Sequence, residues 1–297
     1  MLTLFLYYSM IKNLFFLLFF ISFYNYYAFT SYEGIQMPNS SYNLLTSNSL
    51  YSFEKNIILN KKHPRQISYN LIIYPQDINL ASIKYYTQFK NYHINSHITA
   101  INYGDFVDSE SGYIFSSQDF ILENNLLMKI HNSIHFSSTF RFINSTIDHY
   151  NSNAVSLSGN FIYNYQDFLL DIFFNDYGII LDNYSDYSES LPTSYGVHFI
   201  YSLRYINSLF LLGYESFDDY NIINIHNELF FLEKASISMG YSSIAQGLYS
   251  NNFNTDFFTG VSASINIYYK TYFFSIAIKN LGPIGFVNSL SLVKSFN

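Results

Sequence analysis

Residues 195–205 read YGVHFIYSLRY, and this stretch decides the fold. Every second residue from Tyr195 to Tyr205 is apolar or aromatic, and most positions between them are small, polar or charged. Successive side chains of a β-strand point to opposite faces, so this alternation predicts a strand with one apolar and one polar face. Arg204 falls on the polar face.

The same period of two recurs from about Gln66 to the C-terminus, and clusters of Asn, Asp, Ser and Gly between the apolar sets indicate turns. About fourteen strands are predicted, with approximate cores at 66–74, 78–89, 92–103, 114–130, 133–147, 153–164, 167–180, 195–205, 208–220, 222–231, 234–243, 257–269, 271–280 and 284–296. An even number of antiparallel strands is typical of single-chain bacterial barrels. The pattern therefore predicts an all-β protein, an antiparallel transmembrane β-barrel over 66–297.

The charged residues of these strands fall on the face opposite the apolar one. A Lys or Arg on a lipid face at mid-membrane costs roughly 2–4 kcal/mol, so a membrane barrel requires this distribution. It predicts a polar lumen and an apolar exterior. The candidate lumen-facing charges are Lys84, Lys129, Arg141, Asp171, Arg204, Glu215, Glu228 and Lys279.

The composition excludes several other classes of protein. Charged residues make up 12% of the 297 residues, about half the ~25% typical of soluble domains, and Tyr and Phe number 31 each. A soluble β-sandwich, the main alternative, would carry Lys, Glu and Thr on its solvent face, where this chain has mostly Ser, Asn and Tyr. The net charge of -7 argues against nucleic acid as a partner, and the absence of Cys excludes disulfides, thiolate ligands and a lipidated Cys.

The N-terminus is predicted to be an export signal. A short positive region ends at Asn13, and about eleven nearly unbroken apolar residues follow from Leu14 to Tyr24, the length of a signal-peptide core. Cleavage near Ala28 gives a signal peptide over 1–28; a retained anchor is the alternative. Residues 29–65 are rich in Ser and Asn, with a weak helical stretch over 44–58, and are predicted to form a lumen plug or a periplasmic segment, the alternative being a mobile tail. An export signal followed by a transmembrane barrel predicts that the protein is located in the bacterial outer membrane.

A search for catalytic or metal-binding constellations yields none, so the chain is predicted not to be an enzyme and to hold no cofactor. Two histidine pairs have the spacing i, i+4, which in a strand is about 13 Å and too far for one metal ion: His93 with His97, and His131 with His135. The acidic groups Asp182 with Asp186 and Asp218 with Asp219 lack the dense oxygen ligands of a dedicated calcium loop and are read as solvated loops.

A family resemblance rests on several short motifs in order along the chain. The segment Tyr103-Gly104-Asp105-Phe106, followed by Gly112, Phe115, Ser117 and Asp119, resembles the Tyr-Gly-x-Phe … Gly … Phe-x-Ala-x-Asp segment of the PorV/PorQ family. Leu191-Pro192 before Tyr195-Gly196-Val197 and the turn Leu281-Gly282-Pro283-Ile284-Gly285 also resemble family elements. The chain differs from the family in three places. The family's Asn-Pro-Ala element is not intact, and residues Asn60 to Pro64 lie where it is expected. The Gly-Gly of the family's N-terminal segment and an arginine near Ser238 are absent.

That family comprises outer-membrane barrels associated with type IX secretion, similar in architecture to long-chain fatty-acid transporters. The resemblance, closest to the PorQ-like branch, implies a barrel that anchors or hands over exported proteins at the cell surface. Its partners would be outer-membrane lipid, secretion-system subunits and exported cargo proteins. The alternative is a barrel transporter for hydrophobic small molecules such as fatty acids, and a purely structural barrel is a third hypothesis.

Overall fold

The computed structural model describes residues 32–46, 65–184, 190–217, 220–231, 234–244 and 258–296. The predicted signal peptide over 1–28 lies outside these residues, as do Asp186, Asp218 and Asp219. Within the described ranges, helices are too short or too polar to cross a bilayer. The structure begins with a short 3-10 turn, Glu33–Gln36, and one helix, α1, Ser41–Thr46.

Fourteen antiparallel strands follow, and they form one closed barrel in which each strand pairs with its neighbours in sequence. The prediction of an all-β barrel of about fourteen strands is confirmed. The strands are β1 Arg65–Ile73, β2 Asn79–Phe89, β3 Tyr92–Val107, β4 Ile114–His131, β5 Ile134–Ile147, β6 Tyr150–Tyr165, β7 Phe168–Asp182, β8 Ser194–Leu203, β9 Ser208–Phe217, β10 Asn221–Phe231, β11 Ala235–Ser242, β12 Val261–Tyr269, β13 Tyr272–Asn280 and β14 Phe286–Phe296.

The barrel closes where the first strand meets the last. β1 pairs with β14 along its whole length, from Arg65 opposite Phe296 to Ile73 opposite Asn288. Closure satisfies the backbone donors and acceptors of both strands, which is the condition for a sheet to exist in a hydrocarbon environment.

The two ends of the barrel differ in the length of their connections. At the end where β1 begins and β14 ends, several connections are two residues long, at 90–91, 132–133, 166–167 and 270–271. The opposite end carries the long loops 108–113, 183–193 and 243–260. Outer-membrane barrels have short periplasmic turns and longer extracellular loops, so the chain termini of the barrel lie at the periplasmic end.

The outer face of the barrel is apolar, as the alternation predicted. Along β13 the outward side chains include Phe274, Ile276 and Ile278, which are 42%, 65% and 42% exposed, whereas Ser275 and Ala277 between them are buried in the lumen. Large apolar side chains are thus presented to lipid rather than to a protein core.

β7 and β8 are among the strands that depart from the predicted alternation. β8 ends at Leu203, and Arg204–Ile206 form a 3-10 turn that closes with Asn207 in the left-handed conformation, so Arg204 is not a lumen residue. In β7, Asp176 has a φ of 58° and creates a bulge against β6. Because the bulge shifts the alternation by one residue, the outward positions change from even to odd numbers beyond it.

Candidate functional site in the barrel lumen

The lumen is occupied by the N-terminal segment 32–46, which runs from the extracellular end toward the middle of the barrel. At the extracellular end, Tyr32 is fully buried and its hydroxyl is hydrogen-bonded to that of Ser152 on β6. Gln36 donates from Nε2 to the Pro192 carbonyl at 3.3 Å and accepts from the Tyr220 hydroxyl at 3.0 Å. The segment is therefore tied to three separate parts of the barrel.

At mid-height, Asn39 is the centre of the contacts between the segment and the wall. Its Oδ1 accepts from Lys84 Nζ at 2.6 Å and from Asn43 Nδ2 at 2.8 Å. Its Nδ2 lies 3.3 Å from Nδ1 of His97, and its backbone carbonyl accepts from the Ser82 hydroxyl at 2.8 Å. One amide side chain thus supplies the acceptor that the buried Lys84 ammonium needs.

Helix α1 then packs against β10 to β14. The Ser41 backbone N–H donates to Ser291 Oγ at 3.0 Å, and the Ser41 and Ser289 hydroxyls are 2.9 Å apart. The Tyr42 ring stacks on Phe273 with centroids 5.5 Å apart. A cavity of about 70 Å³ remains between this helix and the wall, lined in part by Tyr42. An apolar cavity of roughly 150 Å³ is what benzene requires, so this space is too small for an aromatic ring.

A line of alternating charges crosses the wall beside Asn39. Arg141 on β5 donates from Nε to Glu123 Oε2 at 2.6 Å and from NH1 to Asp176 Oδ1 at 2.5 Å. The Ser156 hydroxyl also donates to Asp176 at 2.9 Å. Two carboxylates thus share one guanidinium, and Glu123 is also attracted to the ammonium of Lys84 on the neighbouring part of the wall.

The other predicted lumen charges are held separately. Asp171 accepts from Asn160 at 3.1 Å and lies 3.6 Å from the His198 ring, while Glu215 accepts from the Ser194 hydroxyl at 2.7 Å. Glu228 is fully buried and accepts from the Ser236 hydroxyl at 2.5 Å. Lys279 is 5% exposed on the lumen side of β13.

Two predicted lumen charges lie at the periplasmic end instead. Lys129 has lumen parity near the end of β4 but is exposed. Arg204 lies in the turn after β8, is 72% exposed, and forms an ion pair with Asp167 at 2.6 Å. The alternation continues through Tyr205 and therefore predicts a strand position for Arg204, whereas the structure places both residues in the same turn.

One of the two histidine pairs differs from its sequence interpretation. His93 and His97 both face the lumen from β3, and the His93 ring nitrogen is 2.6 Å from the Tyr86 hydroxyl. His131 ends β4, whereas His135 belongs to β5, so this pair does not share a strand. Among the residues that the structure describes, no three His, Cys, Asp or Glu side chains are grouped to hold a metal ion.

The lumen wall also carries two apolar clusters, which the sequence interpretation did not include. The extracellular cluster contains Ile72, Leu80, Ile101, Ile121 and Ile143 from five successive strands, and the segment adds Tyr32, Ile35, Leu44 and Leu45 to it. The periplasmic cluster consists of Tyr86, Leu127, Ile162, Leu169, Ile200 and Leu211, with Tyr42 packed against it. Between the two clusters, at mid-height, lie the polar contacts of Asn39 with Lys84 and of Arg141 with its two carboxylates. This polar belt separates the two apolar zones.

The extracellular rim next to the family-like motif is ordered by local hydrogen bonds. In the loop between β3 and β4, Asp108 accepts from the Ser111 hydroxyl and from the Glu110 N–H at 3.1 Å. The bond from Ser111 holds the pKa of the Asp108 carboxyl below its usual value. Tyr113 then donates to Asp148 in the next loop at 2.9 Å. These contacts connect two extracellular loops.

A closed antiparallel barrel with an apolar outer face and a segment within its lumen defines a bacterial outer-membrane β-barrel protein. No family model and no curated protein matches the chain, so the resemblance to the PorV/PorQ family stays a prediction. The solved structures that it resembles include outer-membrane barrels, and membrane lipid is therefore its immediate environment.

Several of these structures are hydrocarbon channels or transporters. A TodX deltaS2S3 mutant, a monoaromatic hydrocarbon channel, has a TM-score of 0.61 at 7% identity, covering 86% of this chain and 99% of its own. The Pseudomonas putida toluene transporter TodX has a TM-score of 0.56 at 8% identity, covering 91% and 99%. The Ralstonia pickettii toluene transporter TbuX has a TM-score of 0.51 at 8% identity, covering 79% and 90%. At these identities the likeness concerns the fold.

Proposed function

We propose that this protein is an outer-membrane conduit for small apolar compounds, with residues 32–46 as its plug. The observation that carries the proposal is the extracellular apolar cluster, in which Ile72, Leu80, Ile101, Ile121 and Ile143 line the lumen. A water-filled porin has a polar interior, so such a wall suits an apolar solute better than an ion or a sugar. The fold likeness to channels for toluene and monoaromatic hydrocarbons supports the same solute class.

The plug is held by contacts that can be exchanged for others. Its middle is bound by polar hydrogen bonds from Lys84 and Ser82 to Asn39, and its start is packed in the apolar cluster through Tyr32 and Ile35. An apolar solute that occupies this cluster competes with those two side chains. Displacement of the segment then opens the lumen, and no enzymatic step is involved.

Uptake of radiolabelled toluene tests the proposal. A deletion strain complemented with the full chain should take up toluene faster than the same strain with an empty vector. Replacing Ile143→Asn should lower this rate, because it places an amide in the apolar cluster, and Ile143→Val is the matched control that keeps the wall apolar. Equal uptake in the deleted and complemented strains contradicts the proposal, as does a comparable increase in the uptake of a hydrophilic sugar.

Type IX secretion is the second candidate function, and the ordered short motifs of the PorV/PorQ resemblance favour it. The stretch Tyr103 to Phe115 includes the extracellular loop that Asp108 orders and that Tyr113 links to the next loop. Such a rim would be the surface for secretion-system subunits or exported cargo. Mass spectrometry of surface and secreted proteins in the deletion strain tests it: retained cargo supports secretion, and an unchanged secretome contradicts it.

A further inference from the structure

The outer face of β3 to β5 carries amide side chains within a surface that is mostly aliphatic and aromatic. Asn102 points outward from β3, Gln118 from β4 and Asn144 from β5. A polar group facing hydrocarbon without a partner is unfavourable. Asn144 Nδ2 donates to Asn153 Oδ1 at 2.9 Å and Asn102 Oδ1 accepts from the Gly104 N–H at 2.8 Å, which leaves the Gln118 amide and Asn102 Nδ2 for a group from outside the protein.

Directly beside these amides, the outer face contains a hollow of about 390 Å³. Its floor consists of two small residues, Ala81 and Ala100, which are opposite each other on β2 and β3. Leu71 and Phe120 continue the same row on β1 and β4 and form the two walls, each 43% exposed. The hollow exists because two alanines stand in a row whose other members are large.

The hollow is amphipathic along the membrane normal. The next row toward the extracellular end contains Asn79, Asn102 and Gln118, opposite one another on β2, β3 and β4. The next row toward the membrane centre contains only apolar side chains on the same three strands. They are Ile83, Ile98 and Leu122. An occupant thus meets hydrocarbon at one edge and hydrogen-bonding amides at the other.

The electrostatic character of the amide rim indicates which class of membrane lipid fits the hollow. The rim side chains are neutral, and the acidic residues Asp77 and Asp105 lie close to it in the chain, with Asp77 packed beside Gly104. An anionic headgroup is matched by Arg or Lys, and the side chains that line the hollow include neither. Amides both donate and accept, which matches the hydroxyl and amide groups of a glycolipid.

We infer that this hollow binds an N-acylated glycolipid of the extracellular leaflet. One acyl chain lies over Ala81 and Ala100 between Leu71 and Phe120. The amide or hydroxyl groups at the top of that chain hydrogen-bond to Asn102 and Gln118. The hollow has the volume typical of small-molecule sites, roughly 300–1,000 Å³, and it opens to the bilayer rather than to the lumen. It is therefore independent of the proposed conduit.

The natural absence of tryptophan allows a direct test. Phe120→Trp places a sole tryptophan at the wall of the hollow. Tyr195→Trp is the matched control, since Tyr195 is an aromatic residue of similar exposure, 44%, at the extracellular end of β8, four strands away from β4 around the barrel. The full chain is reconstituted in phosphatidylcholine vesicles. Fluorescence quenching is then measured as a glucosamine-based N-acylated glycolipid with brominated chains is added.

We expect half-maximal quenching of Phe120→Trp at a several-fold lower glycolipid fraction than for Tyr195→Trp. Adding Ala81→Leu and Ala100→Leu should fill the hollow and abolish the difference, whereas Ala263→Leu, an outward alanine on β12, should preserve it. Asn102→Leu with Gln118→Leu should also abolish it, and Asn227→Leu on β10 should not. Heat-modifiable migration on gels verifies that each variant is folded.

Three outcomes overturn the inference. Identical quenching curves for the two tryptophans show that the hollow holds ordinary bilayer lipid. The same preference for brominated phosphatidylglycerol shows that the amide rim does not select the headgroup. Protection of Phe120→Trp from every brominated lipid, together with a chemical cross-link between two chains, shows that a second copy covers the hollow instead.

Discussion

At the scale of single residues, Arg141 shows how the lumen tolerates charge. Its guanidinium contacts Glu123 and Asp176 at 2.6 and 2.5 Å, and all three side chains are largely shielded from water. Breaking such a group by removing one partner leaves the other charges uncompensated. The stability of the belt thus depends on the central cation more than on either carboxylate.

Replacing Arg141→Met should lower the free energy of unfolding by roughly 3 kcal/mol, because it leaves two carboxylates in the lumen without their cation. The matched control is Arg204→Met, which removes an ion pair of similar length in an exposed turn and should cost less than about 1 kcal/mol. Urea unfolding of the protein in lipid vesicles measures both. Equal losses for the two variants would show that the lumen pair is as well solvated as the surface pair.

A substitution at Gly34 tests whether residues 32–46 must lie close to the barrel wall to seal the lumen. A Cβ at this position would come closer than 3.0 Å to the Tyr103 hydroxyl and to Asp119, which are themselves hydrogen-bonded at 2.6 Å. Gly34→Ala should therefore displace the start of the segment and raise the conductance of the protein in planar bilayers. Gln36→Ala, which removes hydrogen bonds of 3.0 and 3.3 Å without adding an atom to the lumen, is the milder control. Unchanged conductance in Gly34→Ala argues against a seal at this point.

At the scale of strands, the alternation made most of the barrel predictable. Each strand has one face toward lipid, where a charge is costly, so the outward residues of β13 or β8 form an unbroken apolar set. Arg204 and the bulge at Asp176 were not predictable in this way. A strand's end and a bulge are set by backbone conformation, and a left-handed residue such as Asn207 or Asp176 leaves no periodic signal.

The lumen clusters were predictable in part. Ile72 stands between Leu71 and Ile73, and Ile143 follows Phe142, so runs of adjacent apolar residues already show that both faces of these strands are apolar. The alternation by itself predicts a uniformly polar lumen, because it assigns one face of each strand to lipid and the other face to water. The path of residues 32–46 depends on contacts between residues far apart in sequence, such as Ser41 with Ser289, and no local pattern encodes them.

The outward face can be tested on β13. Ile276→Lys places an ammonium at the centre of a lipid-facing row and should lower the free energy of unfolding by roughly 2–4 kcal/mol. Ile206→Lys is the control, because Ile206 has a similar exposure, 60% against 65%, but lies in the turn after β8. Folding into lipid vesicles followed by urea titration gives both values. A cost for Ile206→Lys as large as that for Ile276→Lys would contradict the assignment of the membrane-facing region.

At the scale of the whole molecule, the barrel combines three environments. Its outside is apolar, its lumen has apolar zones above and below a polar belt, and residues 32–46 cross the upper zone and the belt. The outside follows from the need to face lipid, and the belt provides hydrogen bonds that hold the segment in register. The apolar zones distinguish this lumen from an aqueous pore, and the proposed solute follows from them.

The most direct test of the account is to lock the segment to the wall. The chain has no cysteine, and the hydroxyls of Ser41 and Ser289 are 2.9 Å apart, so Ser41→Cys with Ser289→Cys places two thiols within reach of a disulfide. Toluene uptake by cells carrying this variant should fall to the empty-vector level on oxidation and recover on reduction, while each single variant is unaffected. Undiminished uptake with the disulfide formed would contradict the claim that this segment closes an apolar conduit.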